Sequence, residues 1–361
     1  SSFLLLGKLV AAPKTDQSPG EYDIVVVGAG IAGLMAYGYL IKAGYRVAVL
    51  EKARGVGGRM ATRRIGEAVC DHGAQYFSVK GRAFGSVVSE SQEASAVVPW
   101  CDLFPRSETA EGPAVEPLDE VGHARWRGAR GMTSLPKYLA EQLPEPVKTG
   151  VRVRSLGVQD NAVHVTCEND EMVVARAAVL TAPVPQVVEI FHSGGLRPPV
   201  VDPQVWDMLS SVEYSPCFSL MLCLAKPSLL PDPGGLEVCS GPVAWIADNY
   251  KKGISPVPSL TVQATAEFSR DHFNADPKQV EDKLIEAVHC WIDGETSDEV
   301  QARSLQRWKY AFPVSPVKAP MIAVQNKPPV VCCGDAFGGG RVESAASSGL
   351  AAARWIQRLL S

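Results

Sequence analysis

The nine cysteines of this 361-residue chain include no CxxC pair. An odd count without paired spacing argues against a disulfide framework and fits a reducing compartment. The six histidines (His72, His123, His164, His192, His272 and His289) are scattered, with no HxxxH and no Cys/His ligand spacing, so no metal centre is expected. No Ser/His/Asp arrangement for nucleophilic catalysis stands out either. Positive charge is not in excess: 35 Lys and Arg face 39 Asp and Glu, a formal net charge of −4. Nothing is left over to neutralise a run of phosphates, which excludes nucleic acid as a natural partner. The longest wholly apolar run near the start, residues 3–6, is far too short to cross a bilayer. Internal repeats and low-complexity tracts are missing. What remains is an ordinary chain, 46% apolar and 20% charged, long enough for two domains.

Residues 1–21 form a mixed segment with Pro13, Pro19 and Gly20, read either as the remnant of a leader or as a loosely held arm. A soluble protein is expected, cytoplasmic or in a chloroplast or mitochondrion after leader removal. Residues 23–28 are a continuous apolar, β-branched run, as in a parallel strand covered on both faces. A helix with small residues follows over 31–43, Gly44 ends it, and 46–50 form the next strand: a βαβ unit. The turn carries GxGxxG. Gly28 permits a sharp bend, Gly30 lets the backbone reach a pyrophosphate, and Gly33 lets the helix lie close to the strand. The free amides at the helix start, around Ile31 and Ala32, then hold phosphate charge. Glu51 ends the second strand, where a carboxylate accepts from both ribose hydroxyls. That acid favours FAD or NAD over a 2′-phosphorylated cofactor.

The continuation separates the two. Gly57, Gly58, Arg59 and Met60 resemble the second diphosphate contact of glutathione-reductase-like flavoproteins, and specifically the "GGR" of the amine oxidase branch. Near the C-terminus, "VVCCGDAFGGGRVESAASSGLAAARWI" resembles the flavin motif of the same superfamily. Asp335 is placed to bind a ribityl hydroxyl, and the helix beginning near residues 342–344 aims its positive end at the flavin. Three motifs in order imply FAD. The resemblance implies further cofactor contacts from Lys52, Gln75, Tyr76, Phe77, Val153, Ala182, Gly334, Arg341, Val342, Glu343 and Ser344. Arg63 and Arg64 read as solvated surface charges or as part of this site. Cys332 and Cys333, side by side on a strand, read as buried small hydrophobes on opposite faces.

Together, "GGRMATRR", "DHGAQYFSV", "RGARGMTSLPKYLAEQL", "RWKYAFPV" and "GDAFGGGRVESAASSGLAAA" resemble the renalase family, from residue 23 to the C-terminus. The resemblance implies a noncovalent FAD, a dihydropyridine giving hydride to flavin N5, and O₂ taking the electrons, with H₂O₂ as product. Renalases act on NAD(P)H isomers reduced at the 2 or 6 carbon of the nicotinamide. In this reading Asp71 and Gly73 shape a turn bringing Gln75 and Tyr76 beneath the flavin, with Trp308 a third catalytic candidate. Tyr76 also reads as plain core packing. Trp308 and Tyr310, alternating in "RWKYA", either line a flat cavity or pack in the core. Thr133 or Ser134 caps a helix beside a packed Met132. His72 lies within the flavin-proximal segment. An amine oxidase, with a cage built from Tyr76 and Trp308, and a flavin-binding protein without turnover remain alternatives, so the small-molecule partner is a dihydronicotinamide or an amine.

The expected fold is α/β. A Rossmann-like FAD-binding domain combines a parallel sheet with a β-meander, and a second α+β substrate domain has a mostly antiparallel sheet, as in p-hydroxybenzoate hydroxylase and amine oxidases. The FAD-binding domain takes residues 22–82, 128–190 and 328–361, and the substrate domain takes 83–127 and 191–327. Strands are expected at 217–225, 243–248, 260–268, 304–312 and 330–333, with helices at 277–293 and 343–360.

Overall fold

The computed structural model describes residues 22–112, 122–294 and 296–361; the segment 1–21 lies outside the described residues. In chain order the elements begin with β1 (Tyr22–Val27), α1 (Ile31–Lys42), β2 (Val47–Glu51), β3 (Thr62–Ile65), β4 (Ala68–Asp71), α2 (Arg82–Glu93), β5 (Val97–Cys101), β6 (Arg106–Thr109) and β7 (Arg125–Gly128). They continue with α3 (Ser134–Glu141), β8 (Lys148–Thr149), β9 (Val153–Gln159), β10 (Ala162–Cys167), β11 (Met172–Leu180), α4 (Val184–Ser193) and α5 (Pro203–Ser210). The second half holds β12 (Tyr214–Leu224), β13 (Gly235–Ser240), β14 (Val243–Asp248), β15 (Ser259–Ala264), α6 (Ala266–Asp271) and α7 (Pro277–Val288). A short α8 (Thr296–Glu299), β16 (Val300–Pro313), β17 (Ile322–Asn326), β18 (Pro329–Cys332) and α9 (Val342–Leu360) complete it.

The first sheet runs β17-β18-β11-β1-β2-β8, with β10 and β9 attached to β11 as a meander. The central pairings β18–β11, β11–β1 and β1–β2 are parallel. One strand, β11, serves both parts: its first half pairs antiparallel with β10 and its second half parallel with β1. This follows from its sequence, polar alternation giving way to an unbroken buried run, Ala177–Leu180. Two apolar layers cover the sheet. Adjacent Cys332 and Cys333 fall into different layers, as alternation on a strand requires, and burial holds both thiols well above their ordinary pKa. Helices α1 and α9 cross closely because Gly349 has no Cβ; one there would strike the Ala32 carbonyl.

The second sheet runs β16-β12-β15-β14-β13-β6 and is antiparallel apart from the β13–β6 edge. Its two faces differ in chemistry. Leu220, Leu222, Leu260, Val262 and Ile246 form the apolar face, packed on Val280, Leu284 and Val288 of α7. The cross-strand row Trp245, Gln263, Ser219 and Gln306 lies on the opposite face. That polar face looks toward the first half of the chain.

Two local expectations are corrected. The strand expected to reach residue 268 stops at Ala264, because the Thr265 hydroxyl accepts from the Phe268 amide and starts α6. Neither Thr133 nor Ser134 caps α3: Thr133 makes no side-chain cap bond, and the Ser134 hydroxyl accepts from the Arg130 amide. Phe84, Val87 and Val88 of α2 join the core around α1 and α9, and β17 belongs to the first sheet.

Candidate active site

The site grows from the β1–α1 turn. Gly28 has φ +105°, and a Cβ there would meet the Thr181 hydroxyl at 2.5 Å. A Cβ on Gly33 would run into the Gly28 carbonyl, so both glycines serve the packing of helix on strand. Gly30 differs. It has ordinary extended backbone, and a Cβ there would find no protein atom within 4 Å. The absent side chain leaves open space in front of the amides of Ile31 and Ala32, where a cofactor pyrophosphate fits. Gly57 pairs with Gly30, and Gly58, at φ +56°, brings the second glycine pair over the same opening.

Glu51, 6% exposed, is fixed by two amides: Ala29 N–H donates to Oε2 at 2.8 Å and Ala53 N–H to Oε1 at 2.7 Å. Each oxygen keeps a further lone pair for a ribose hydroxyl. Met60 and Phe77 are buried beside α1, and Val153 lies in the layer across the sheet. Lys52 instead turns outward and donates to the Gln186 side chain at 3.0 Å.

At the other end of the cradle, two of the sequence's candidates bind each other. Arg59 grips Asp335 through both nitrogens, at 2.6 and 2.7 Å, and also donates to the carbonyls of Tyr310 and Ala311. The Tyr214 hydroxyl donates to the same carboxylate at 3.0 Å. This bidentate pair ties the glycine-pair loop to the Gly334–Asp335 turn and to β16. Helix α9 begins at Val342 with Arg341 as its unassisted N-cap, and Ala182 and Gly334 lie on the same side of the sheet's end. Glu343 does not face a cofactor with its side chain: the carboxylate accepts from the amides of Lys80 and Gly81. Ser344 is half-buried in the first turn of α9.

The segment following β4 is held from the second sheet. The carbonyls of Asp71, His72 and Gly73 accept, in turn, from the Thr261 hydroxyl (2.8 Å), the Trp308 indole (2.7 Å) and the Gln263 amide (2.7 Å). Asp71 therefore ends a strand instead of shaping a turn. Its carboxylate is wholly buried and receives Lys252 Nζ at 2.7 Å, the Thr62 hydroxyl at 2.6 Å and the Met132 amide at 2.7 Å. Lys252, also wholly buried, donates to the Gln75 carbonyl and lies 4.7 Å from the centre of the Trp100 ring. Burial lowers its pKa, with Asp71 pulling the other way. Sequence reasoning missed this lysine, which sits in a turn-like "NYKKG".

Gln75 and His72 are among the residues with a buried polar atom that has no partner among the described residues. Gln75 Nε2 donates to the carbonyls of Asp71 and Gly73, whereas its buried Oε1 has no partner among the described residues. His72 is 6% exposed and stacks on Trp308 with ring centres 5.4 Å apart and planes 14° from parallel; its buried Nδ1 is unpartnered. Tyr76 packs elsewhere, against Phe104 at 5.0 Å and Trp245 at 5.7 Å, with Arg125 over its ring. Tyr76 and Trp308 thus belong to separate aromatic groups. Tyr310 shares the inward face with Trp308 and meets Tyr214 edge-on, while Arg307 and Lys309 point out.

Burial first, and Arg63 second, push the His72 pKa down to about 4, with Asp71 opposing. Between about 4 and the ordinary 6.5 the unfolded chain binds a proton that the native chain refuses. Stability attributable to His72 is therefore complete above pH 6.5 and falls toward pH 4, by about 3 kcal/mol in total. In urea titrations at about pH 7 and about pH 4.5, His72→Asn should lose most of that difference relative to the parent. Equal pH dependence in the two proteins would contradict a neutral, buried His72.

A parallel sheet with an open glycine cradle, an acid fixed at the second strand and an anchored Gly-Asp turn before a closing helix defines a dinucleotide-dependent oxidoreductase of the flavoprotein kind. Residues 100–357 match the family of flavin containing amine oxidoreductases and residues 26–90 the NAD(P)-binding Rossmann-like domain, and the chain belongs to the flavin-containing amine oxidoreductase family. Putrescine oxidase of Kocuria rosea is 50% identical over 58 residues, which are 16% of this chain and 12% of that protein. Protein anon-37Cs of Drosophila melanogaster is 36% identical over 77 residues, 21% of this chain and 15% of the other. The matches thus span only a small part of those relatives' length. The solved structure of putrescine oxidase bound to putrescine superimposes with a TM-score of 0.72 at 15% identity, covering 93% of this chain and 99% of that one. A redesigned triple mutant of putrescine oxidase gives 0.71 at 17%. Among the described residues, no group of side chains could hold a metal ion and no helix is long and apolar enough to cross a membrane.

Proposed function

We propose that the enzyme oxidises dihydronicotinamides of the isomeric kind, NAD(P)H reduced at the 2 or 6 carbon, in the manner of the renalases. The substrate loses a hydride to become NAD(P)⁺, and O₂ with that hydride and one proton becomes H₂O₂. Bound FAD supplies the hydride acceptor at N5 and the route for two electrons to O₂. The substrate already carries its transferable hydride, so positioning supplies most of the catalysis and no general base is required.

The distribution of charge around the two aromatic groups, His72–Trp308 and Tyr76–Phe104–Trp245, taken together as the wall of the site, supports this reading. Asp71 is paired with Lys252, Asp335 with Arg59, and Glu237 with Arg106. The guanidinium groups of Arg63, Arg125 and Arg127 instead donate only to neutral oxygens among the described residues. With His72 neutral as well, the wall suits a flat, uncharged ring on an anionic tail, and repels a diammonium substrate. The residues offered for the cofactor are those of the cradle: Gly30 and Glu51 for the adenosine and pyrophosphate end, with Gly28 and Gly33 shaping the turn, and Gly58, Arg59, Asp335 and Val342 for the flavin end. Gln75 and Trp308 are offered for the substrate face.

Oxidation of an amine is the second reading, favoured by the family and by the likeness to putrescine oxidase. Peroxide-coupled assays with 6-dihydro-NAD, 2-dihydro-NAD, putrescine and a panel of monoamines separate the two. Peroxide from the dihydronicotinamides alone is the expected result. Peroxide from an amine alone would replace the proposal, and none from any compound would favour a flavoprotein without turnover.

A further inference from the structure

Arg63 stands beside the proposed substrate wall with a charge that no carboxylate among the described residues neutralises. It lies on β3, where alternation sends Arg63 and Ile65 to one face and Arg64 to solvent. Ile65 and Ala302 of β16 both pack against the buried cluster of Ala68, Cys70, Met221 and Cys223, so this face of β3 rests on the second sheet. Arg63 reaches along β16, donating to the Ser304 hydroxyl at 3.1 Å and to the Gln306 side-chain oxygen at 2.8 Å. Both acceptors are neutral, and no carboxylate lies within ion-pairing distance among the described residues. The guanidinium is half-buried and near enough to His72 to disfavour its protonation.

Position along the strand gives this charge a use. Gln306 and Trp308 are alternate residues on the same face of β16, about 7 Å apart. A ring lying on the His72–Trp308 stack would therefore place a phosphate, one ribose away, at Arg63. We infer that Arg63, steadied by Ser304 and Gln306, binds the phosphate of the substrate nucleotide and makes the enzyme prefer phosphorylated dihydronicotinamides over the free riboside. This rests on the dihydronicotinamide reading above. Arg presents parallel N–H donors that fit phosphate oxygens, and it can exchange the neutral acceptors it holds for charged ones.

The experiment compares kcat/KM for 6-dihydronicotinamide mononucleotide and for 6-dihydronicotinamide riboside, which lacks the phosphate, in flavin-loaded wild-type enzyme and in Arg63→Gln. A charge-assisted contact is worth roughly tenfold to a hundredfold in binding. The preference for the mononucleotide over the riboside should collapse by about that factor in the variant. Arg63→Lys should recover part of it, and Arg64→Gln, altered in a solvent-facing neighbour, should keep the wild-type ratio. Flavin absorbance, measured on each protein, establishes that the cradle is intact. An unchanged ratio in Arg63→Gln, or equal losses with both substrates, would overturn the assignment while leaving the proposed function in place. Failure of wild-type enzyme to oxidise either compound would remove both together.

Discussion

Gly30→Val yields a folded chain that purifies colourless. The turn has room for the new side chain as far as protein is concerned, since no atom lies within 4 Å of the Cβ position. Backbone geometry is no obstacle either, because Gly30 has φ −72°. The isopropyl group would occupy the space in front of the helix amides that a pyrophosphate needs. The variant should therefore keep the parent's far-ultraviolet circular dichroism and lose the visible absorbance of FAD. Gly28→Val and Gly33→Val provide the contrast: there the added side chain meets Thr181 or the Gly28 carbonyl, and the fold itself should suffer. Full flavin occupancy in Gly30→Val would mean that the opening serves something else.

Lys252→Met should be the most destabilising single change outside the glycines. It removes the cation from a pair in which both side chains are 0% exposed. The stranded Asp71 carboxylate would keep only the Thr62 hydroxyl and the Met132 amide. Breaking a fully buried pair from one side costs about 3–5 kcal/mol, because a charge is left without compensation. The loss should appear as a lower urea midpoint, accompanied by weaker FAD retention, since Lys252 also holds the Gln75 carbonyl. Lys252→Met combined with Asp71→Asn removes the orphaned charge while keeping an oxygen for Thr62 and Met132, and should recover at least half of the loss. A single variant as stable as the parent would show the pair to be dispensable.

What could be read ahead of the structure was local. The β1–α1–β2 unit, Glu51 and the Gly-Asp turn before α9 were legible because each function is written in neighbouring residues, with glycines at fixed offsets. The meander β9–β11 was legible for the same reason, its turns falling at polar residues between alternating strands. The Asp71–Lys252 pair was not, because its members are 181 residues apart and a Lys-Lys-Gly turn looks like surface. Only the fold shows that Lys252 points inward. The His72–Trp308 stack joins residues 236 apart and was equally invisible. The amine oxidase alternative takes Tyr76 and Trp308 together as a cage, whereas packing assigns them to different neighbours. The Arg59–Asp335 pair links two of the sequence's candidates, 276 residues apart, whose partnership the sequence could not state. The end of β15 did carry a signal, Thr265 followed by Glu267 in the first helical turn, which an apolar continuation to Phe268 obscured.

Anaerobic mixing of the FAD-loaded enzyme with 6-dihydro-NAD tests the central claim most directly, because it isolates hydride transfer from everything that follows. Rapid bleaching of the flavin band at saturating substrate, with the colour restored on admitting O₂, is the predicted result. A band that persists with every dihydronicotinamide isomer, yet bleaches with putrescine or another amine, would contradict it.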